Sequence, residues 1–300
     1  MEHIRTGKVK EVYAVDADTL EFVFTDNISV FDKIIPSKIP HKGETLCRTA
    51  KYWFGLLEAE GIATHFKEYL PPNRMRVQRF RIIEDYDLIA EGTRDYLIPL
   101  EIICRHYAAG SLLDRVATGE IAPEAMGFPK GHRPGYADKL PRPYLEATTK
   151  LEETDRNLSE AEAKDIAGLS DADYGELMDT VLRIDSIIAR EAGKRGLVHC
   201  DGKKEFGYDR DRRLTVIDTF GTLDEDRWWD AAELASGKPS ELSKEIVRQH
   251  YRSTGYHAEL MEARKAGRPE PPIPALPDDM VERVSELYVS MYERITGERF

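Results

Sequence analysis

The sequence has few cysteines and no long apolar run. Cys47, Cys104 and Cys200 lie far apart and form no C-x-x-C pair, which argues against a disulfide framework or a cysteine zinc site. The longest apolar runs stop well short of the roughly 20 residues that a membrane-spanning helix needs. No apolar segment follows Met1, so we expect no secretory signal and a cytoplasmic protein without a membrane partner.

Positive charge is also scarce. The 43 Lys and Arg residues are outnumbered by 55 Asp and Glu residues, which gives a formal net charge of -12. This balance disfavours a nucleic-acid polymer as partner, because clustered Lys and Arg supply most of the affinity for its backbone. A small anion needs only a few convergent cations, so a nucleotide substrate remains compatible with the composition.

The apolar pattern predicts a mixed α+β protein. A two-residue period over residues 9–15 and 20–24 predicts an N-terminal β-hairpin. Further strands are expected at residues 75–83, 97–104, 197–200 and 214–217, with the last two forming a second hairpin. Helical patterns cover residues 44–60, 172–194, 241–253 and 278–296, and a capping box at Ser159 begins a short helix. Residues 119–143 carry five prolines and predict a long loop.

The most informative motif lies on the first strand of the second hairpin. Asp201, Lys203 and Glu205 alternate along this strand and therefore share a face. A turn near residues 210 and 211 would place Asp218 opposite Lys203 on the same face. Two carboxylates on adjacent strands suit Mg²⁺, which binds one or two carboxylates together with nucleotide phosphates. The alternative is an exposed hairpin that carries only surface ion pairs.

Two other stretches could bind phosphate. Gly7, Lys8, Val9 and Lys10 combine a flexible backbone with two cations at the start of the first hairpin, although a plain surface strand has the same pattern. Later, Glu101 and Arg105 share a strand face before a small-residue turn, Gly110 and Ser111, that opens a helix.

Amide groups at such a helix start can cradle a phosphate, and the alternative there is a capped helix with an intrastrand ion pair. None of the eight histidines pairs with another at metal-ligand spacing. We therefore predict that His106 and His199 are packed or hydrogen-bonded residues rather than catalysts.

Taken in order, these stretches resemble the motifs of SAICAR synthetase, the phosphoribosylaminoimidazole-succinocarboxamide synthase family. The similar segments are G-K-V-K, I-P-L-E-I-I-C-R-H-Y-A-A-G-S and C-D-G-K-K-E-F-G, together with residues 28–32, 41–43, 147–150, 217–218 and 227–229. The resemblance covers nearly the whole chain. It implies a small β-rich N-terminal domain with the phosphate-binding hairpin, residues 1–95. A larger α+β domain related to ATP-grasp enzymes and kinases, residues 96–300, would carry the metal and ribonucleotide sites.

The resemblance also implies a reaction. The family uses ATP and Mg²⁺ to join L-aspartate to 5-aminoimidazole-4-carboxylate ribonucleotide (CAIR) through an acyl phosphate, a step of purine synthesis. By position, Gly7, Lys8, Val9, Lys10 and Lys150 would bind ATP, and Glu205 and Asp218 would bind both ATP and Mg²⁺. Lys203 and Asp201 would be catalytic. The other substrates would contact Ser29, Asp32, Lys42, Gly43, Glu101, Arg105, Gly110, Ser111 and Arg227. The protein could also form a homodimer, which the resemblance does not decide.

Three positions depart from the family pattern. Thr219 stands where many relatives have a second acid, Leu223 replaces a proline, and Lys204 replaces an apolar residue. Residues 82–96 look longer than in typical relatives, and residues 79–81 are the expected adenine hinge. Two other functions are compatible with the same motifs: a kinase of a small phosphorylated metabolite, and a nucleotide-binding protein without catalysis.

Overall fold

The computed structural model describes residues 1–300 and confirms the α+β class. Its N-terminal part is a five-stranded antiparallel sheet with the strand order β1-β2-β3-β7-β6. A separate two-stranded sheet, β4 and β5, follows β3 in the chain. The strands are β1 Glu2–Thr6, β2 Lys10–Asp16, β3 Thr19–Phe24, β4 Asn27–Val30, β5 Lys33–Lys38, β6 Phe66–Leu70 and β7 Arg74–Gln78.

A second, six-stranded antiparallel sheet carries most of the sequence motifs. Its order is β10-β9-β8-β11-β12, and β13 pairs with the first half of β11. The strands are β8 Tyr96–Tyr107, β9 Lys139–Thr149, β10 Asn157–Leu158, β11 Leu197–Tyr208, β12 Leu214–Ile217 and β13 Asp226–Asp230. The long strands β8 and β11 lie side by side at the centre of this sheet.

Eight helices surround the sheets. They are α1 Lys42–Ala59, α2 Ser111–Ala117, α3 Glu160–Ala167, α4 Asp171–Gly193, α5 Ala231–Ala235, α6 Glu245–Ser253, α7 Tyr256–Lys265 and α8 Asp278–Thr296. Helix α4 packs on β8 and β11, whereas α8 packs on α1. No helix combines the length and the apolar character that crossing a bilayer requires.

Local sequence explains where the helices begin. Ser159 and Ser170 accept hydrogen bonds from the backbone amides three residues later, and each pairs with an acid at that position. These two capping boxes satisfy amide groups that have no partner inside the helix. The predicted helices at residues 44–60, 172–194 and 278–296 are confirmed, as are the two predicted hairpins.

The structure corrects two of the predictions. The predicted loop at 119–143 ends early, because β9 begins at Lys139 and includes Pro141 and Pro143. At these residues β10 does not pair with β9, whose outer edge is therefore free, and proline tolerates such an edge. Helix α7 was not predicted. The proposed domain boundary between residues 95 and 96 separates the two large sheets in sequence and remains a prediction.

Candidate active site

Three cavities lie around the β8–β11 pair. The first cavity, of about 910 Å³, is lined by all seven residues that the sequence analysis assigned to ATP: Gly7, Lys8, Val9, Lys10, Lys150, Glu205 and Asp218. Residues 79–81, the expected hinge, also line it. The second cavity, of about 1020 Å³, contains Arg105, Gly110, Ser111, Asp201 and Arg227. The third cavity, of about 350 Å³, contains Ser29 and Asp32.

The pairing of β8 with β11 brings the predicted residues together. Glu101 lies opposite Glu205, and Arg105 lies opposite Asp201. Lys203 is on the same face between them, because cross-strand neighbours and every second residue of a strand point to the same side of a sheet. Arg105 on β8 and Asp201 on β11 are 96 positions apart in the chain, so the sheet joins two separate sequence motifs on one face.

Asp218 reaches the same cavity in a different way from the one predicted. With Asp218 opposite Lys203, Glu205 would pair with Val216. The structure instead pairs Glu205 with Ile217, so the predicted register was wrong by one residue. In a continued strand, this register would turn Asp218 to the other face of the sheet. Instead β12 ends at Ile217, and Asp218 adopts a left-handed backbone with φ of 57°. This turn directs its carboxylate into the first cavity.

Lys203 is the centre of a charge cluster. Its Nζ donates to Glu101 at 2.8 Å and to Glu205 at 2.9 Å, and it lies 3.4 Å from Glu225. Lys150 pairs with the other carboxylate oxygen of Glu205. In the same cavity Lys10 forms an ion pair with Asp218. Cations and carboxylates therefore alternate across the floor of the first cavity.

The charge cluster around Lys203 shifts the pKa values of its acids in opposite directions. Burial raises the pKa of Glu101 to about 7, because the attraction of Lys203 only partly offsets burial and the repulsion of Glu205. Burial alone would also raise the pKa of Glu205, but Lys150 and Lys203 outweigh it and lower this pKa to about 2. For Asp218 the effect of burial is likewise overcome, chiefly by Lys10 and Lys150, and its pKa is lowered. Glu205 and Asp218 are therefore ionised at neutral pH.

Two arginines converge in the second cavity. Arg105 donates to Glu146 at 2.5 Å and to Asp201 at 3.2 Å, and Arg227 donates to the same oxygen of Asp201. Gly110, with φ of 57°, lies against Arg227: a Cβ at this position would be 2.7 Å from Nη2. A glycine is thus needed for the close approach of the turn to the guanidinium. Asp201 aligns both arginines toward the cavity.

Lys42 and Gly43, which the resemblance places near substrate, do not line any of the three cavities. The ammonium of Lys42 is fully buried and donates to Asp224 at 2.8 Å. The hydroxyl of Tyr288 in α8 donates to the other oxygen of Asp224 at 2.5 Å. Gly43 packs against the backbone of Phe24, so a side chain there would clash. Lys42 therefore holds the segment at Asp224 in place, whereas Gly43 allows α1 to lie close to the end of β3.

Sequence reasoning missed four residues that line the cavities. Glu225 lies next to Lys203, and α6 with its preceding residue contributes Lys244, Arg248 and Arg252. The three cations are spaced four residues apart, so they follow one face of a helix. All three cations lie within the predicted helix 241–253, so their spacing could have predicted a basic face on this helix.

A buried polar network lies on the opposite face of β11. The Nε2 atom of His106 donates to the carboxylate of Asp185 at 2.9 Å, and the Nε2 atom of His199 pairs with Asp226 at 2.5 Å. Lys204 lies between the two acids and forms an ion pair with Asp185. The prediction that both histidines are hydrogen-bonded residues is confirmed. A lysine in place of the expected apolar residue is accommodated because these acids surround its ammonium.

Comparison with known proteins agrees with the sequence motifs. The family model described as SAICAR synthetase matches residues 3–263. The phosphoribosylaminoimidazole-succinocarboxamide synthases of Thermoplasma volcanium and Thermoplasma acidophilum are 53% and 51% identical to this chain, and each alignment covers 100% of both chains.

Solved structures show the same fold. A SAICAR synthase from Saccharomyces cerevisiae complexed with SAICAR is 26% identical, with a TM-score of 0.75 and coverage of 99% of this chain and 95% of that one. A SAICAR synthetase in complex with ADP has a TM-score of 0.70 at 24% identity and covers 99% and 98%. The chain belongs to the SAICAR synthetase family.

Proposed function

We propose that this protein is an ATP-dependent ligase that condenses CAIR with L-aspartate to give SAICAR, ADP and phosphate, a step of de novo purine synthesis in the cytoplasm. Family membership and full-length identity of 53% to a synthase of this name support the assignment. The names of two related structures, one with ADP and one with SAICAR, support a nucleotide and the ribonucleotide product as ligands.

One observation carries the proposal: the three cavities meet at Lys203. The side chain of Lys203 lines all three of them, and Glu101 and Glu205 hold its ammonium in place. A ligase must bring a phosphoryl donor, a carboxylate and an amine to one point. A small-metabolite kinase or a non-catalytic binder would not need a third cavity that opens onto the same ammonium.

The first cavity would bind ATP. The backbone of Gly7 and the side chains of Lys8, Lys10 and Lys150 would contact its phosphates, and residues 79–81 would be close to the adenine. Phosphoryl transfer depends mainly on positioning and on charge stabilisation. Several cations along one cavity wall fit this requirement.

Glu205 and Asp218 fit a magnesium ion. Both acids are ionised at neutral pH and line the same cavity, and carboxylate oxygens are the ligands that Mg²⁺ accepts together with phosphates. Bound there, Mg²⁺ would offset negative charge on the phosphates. In its absence Lys150 and Lys10 neutralise the two acids.

The second cavity would bind the ribonucleotide. Arg105, Arg227 and Ser111 would hold its phosphate, which a guanidinium can contact through two parallel hydrogen bonds. Asp201 and Lys203 line this cavity and would face the imidazole and its carboxylate. Glu101, which lines the first and third cavities, would act there through its hydrogen bond from Lys203. L-aspartate would enter through the third cavity beside Ser29 and Asp32, where Lys244 and Arg248 provide positive charge for its carboxylates.

The chemistry follows from the weakness of a carboxylate as an electrophile. Transfer of the γ-phosphoryl group of ATP to the CAIR carboxylate gives an acyl phosphate and ADP. The amine of aspartate then forms the C–N bond while the C–O bond to phosphate breaks. Lys203 would stabilise the negative charge that develops on the substrate oxygens, and the half-buried position of its side chain strengthens this interaction.

The test is ADP release with each substrate omitted in turn. We expect release that requires CAIR and, for full turnover, L-aspartate, with SAICAR as product. Full turnover without aspartate would identify a kinase instead. No ADP release with all substrates present would identify a nucleotide-binding protein.

A further inference from the structure

Two side chains line all three cavities, Lys203 and Glu225. Under the proposed function, this junction is where the acyl phosphate and the amine of aspartate must meet. The amine arrives as an ammonium group at neutral pH and has no lone pair with which to attack. A proton acceptor is therefore needed at the junction, and the ammonium of Lys203 cannot supply it.

Glu225 has the required freedom. Its carboxylate accepts no hydrogen bond from the protein, and its nearest cation is Lys203, at 3.4 Å. The side chain is 23% exposed, so both water and a substrate can reach it. A carboxylate that accepts no hydrogen bond from the protein can receive a proton without first losing one, and its single ion pair, to Lys203, is long.

Most of the other acids around the third cavity are already engaged. Asp32 pairs with Lys8 at 2.5 Å, and Glu101 accepts from Lys203. Asp224 is held by the ammonium of Lys42. Asp155 has no ion-pair partner, but it is exposed and does not line the first cavity.

The chain fixes the position of Glu225 from both sides. The preceding residue, Asp224, is bound to Lys42 and Tyr288. The following residue, Asp226, is bound to His199 at 2.5 Å and accepts from the backbone amide of Gly221 at 2.7 Å. The backbone at Glu225 is therefore anchored while its side chain remains free to contact a ligand.

We propose that Glu225 is the base that accepts a proton from the α-ammonium group of L-aspartate. This assignment rests on the proposed function. Removal of one proton to the Glu225 carboxylate leaves the amine lone pair, which forms the C–N bond to the acyl carbon. The C–O bond to the phosphoryl group breaks, and its electron pair leaves with phosphate. The second proton lost by the nitrogen goes to that phosphate, and Glu225 returns its proton to water.

Glu225→Gln tests the assignment, because it keeps the size and the polarity of the side chain and removes its basicity. ADP release is measured with ATP, CAIR and either L-aspartate or hydroxylamine, a nucleophile that is largely unprotonated at neutral pH and needs no base. We expect the aspartate-dependent kcat to fall by about 10²-fold or more, the range of general-base catalysis. KM for ATP and CAIR and the hydroxylamine-dependent rate should stay within about three-fold.

The pH profile gives an independent readout. In Glu225→Gln the remaining aspartate-dependent rate should rise continuously with pH, because a larger fraction of L-aspartate carries an unprotonated amine at higher pH. Asp155→Asn is the matched control, since it removes another acid of the third cavity that accepts no hydrogen bond from the protein, and its loss of kcat should be much smaller. Thermal unfolding of both variants checks that they fold.

Three results would overturn the assignment: aspartate turnover by Glu225→Gln within about two-fold of wild type, an equal loss with both nucleophiles, or a selective loss in Asp155→Asn. The proposed function is judged separately on the unaltered protein. If that protein released no aspartate-dependent ADP, the ligase reaction itself would be wrong, whatever the variants did.

Discussion

The ammonium of Lys204 forms an ion pair with the carboxylate of Asp185, and both side chains are completely buried. Asp226 lies 3.7 Å from the same ammonium, and its backbone directly precedes Arg227. Burial alone would lower the pKa of Lys204, but Asp185 and Asp226 outweigh it and raise this pKa, so the lysine is charged. The cation thus holds helix α4, through Asp185, and the start of β13, through Asp226, to strand β11.

Lys204→Met should destabilise the protein by about 3–5 kcal/mol, because it leaves two buried carboxylates without their common cation. The free energy of unfolding in urea measures this. Lys164→Met is the control: Lys164 is a surface residue paired with Glu160 and Asp171, and its loss should destabilise the protein far less. Similar values for the two variants would contradict the importance of the buried cation.

Lys203→Ala should lower kcat by about 10²-fold or more, since electrostatic stabilisation of the reacting oxygens would be lost. The side chain borders open cavities and is 24% exposed, so the fold should persist. Steady-state ADP release gives kcat, and circular dichroism reports the fold. A folded variant with unchanged turnover would remove Lys203 from the active site.

Ser111→Ala should raise KM for the ribonucleotide by about ten-fold, the value of one hydrogen bond to a charged group, and leave KM for ATP unchanged. Ser111 begins α2 and lines only the second of the main cavities. Thr118→Ala, at the other end of the same helix, is the matched control and should change neither constant. An effect on ATP instead of the ribonucleotide would reverse the assignment of the two cavities.

The raised pKa of Glu101 predicts how stability depends on pH. The folded protein keeps a proton on Glu101 up to about pH 7, whereas the unfolded chain releases it near the ordinary value of 4.5. The contribution of this proton to stability is therefore complete below pH 4.5 and is lost as pH rises through 7. Glu101→Gln should gain stability relative to the wild type between pH 5 and 8 in urea titrations. A difference in the free energy of unfolding between Glu101→Gln and the wild type that does not change with pH would contradict the raised pKa of Glu101.

Gly202→Ala should destabilise the protein by about 2 kcal/mol or more. A Cβ at this residue would overlap the carboxylate of Asp226 and lie 2.8 Å from Nε2 of His199. Gly175→Ala is the matched control in α4, where a Cβ meets nothing within 4 Å and alanine favours the helix. Urea unfolding of both variants should show opposite signs, and a neutral Gly202→Ala would contradict the close packing.

The helices that carry a clear apolar stripe could be predicted from sequence, and α8 begins and ends at the predicted residues. That Asp201, Lys203 and Glu205 share one face of their strand also follows from alternation. Their pairing with the 101–105 strand was not predicted, because alternation does not identify the neighbouring strand. The position of Asp218 could not be derived in this way, because its left-handed backbone breaks the strand pattern. The buried contact of Lys42 with Asp224 could not be predicted either, because the two residues lie 182 positions apart and local sequence does not show such a contact.

The bond from Tyr288 to Asp224 links the last helix to the active site. Asp224 also binds Lys42 of α1, and α8 packs on that same helix. A chain that lacks α8 would still contain every residue assigned to the site but would lose the Tyr288 hydrogen bond to Asp224. We expect such a chain to be inactive, because the segment that carries Glu225 would no longer be held in place.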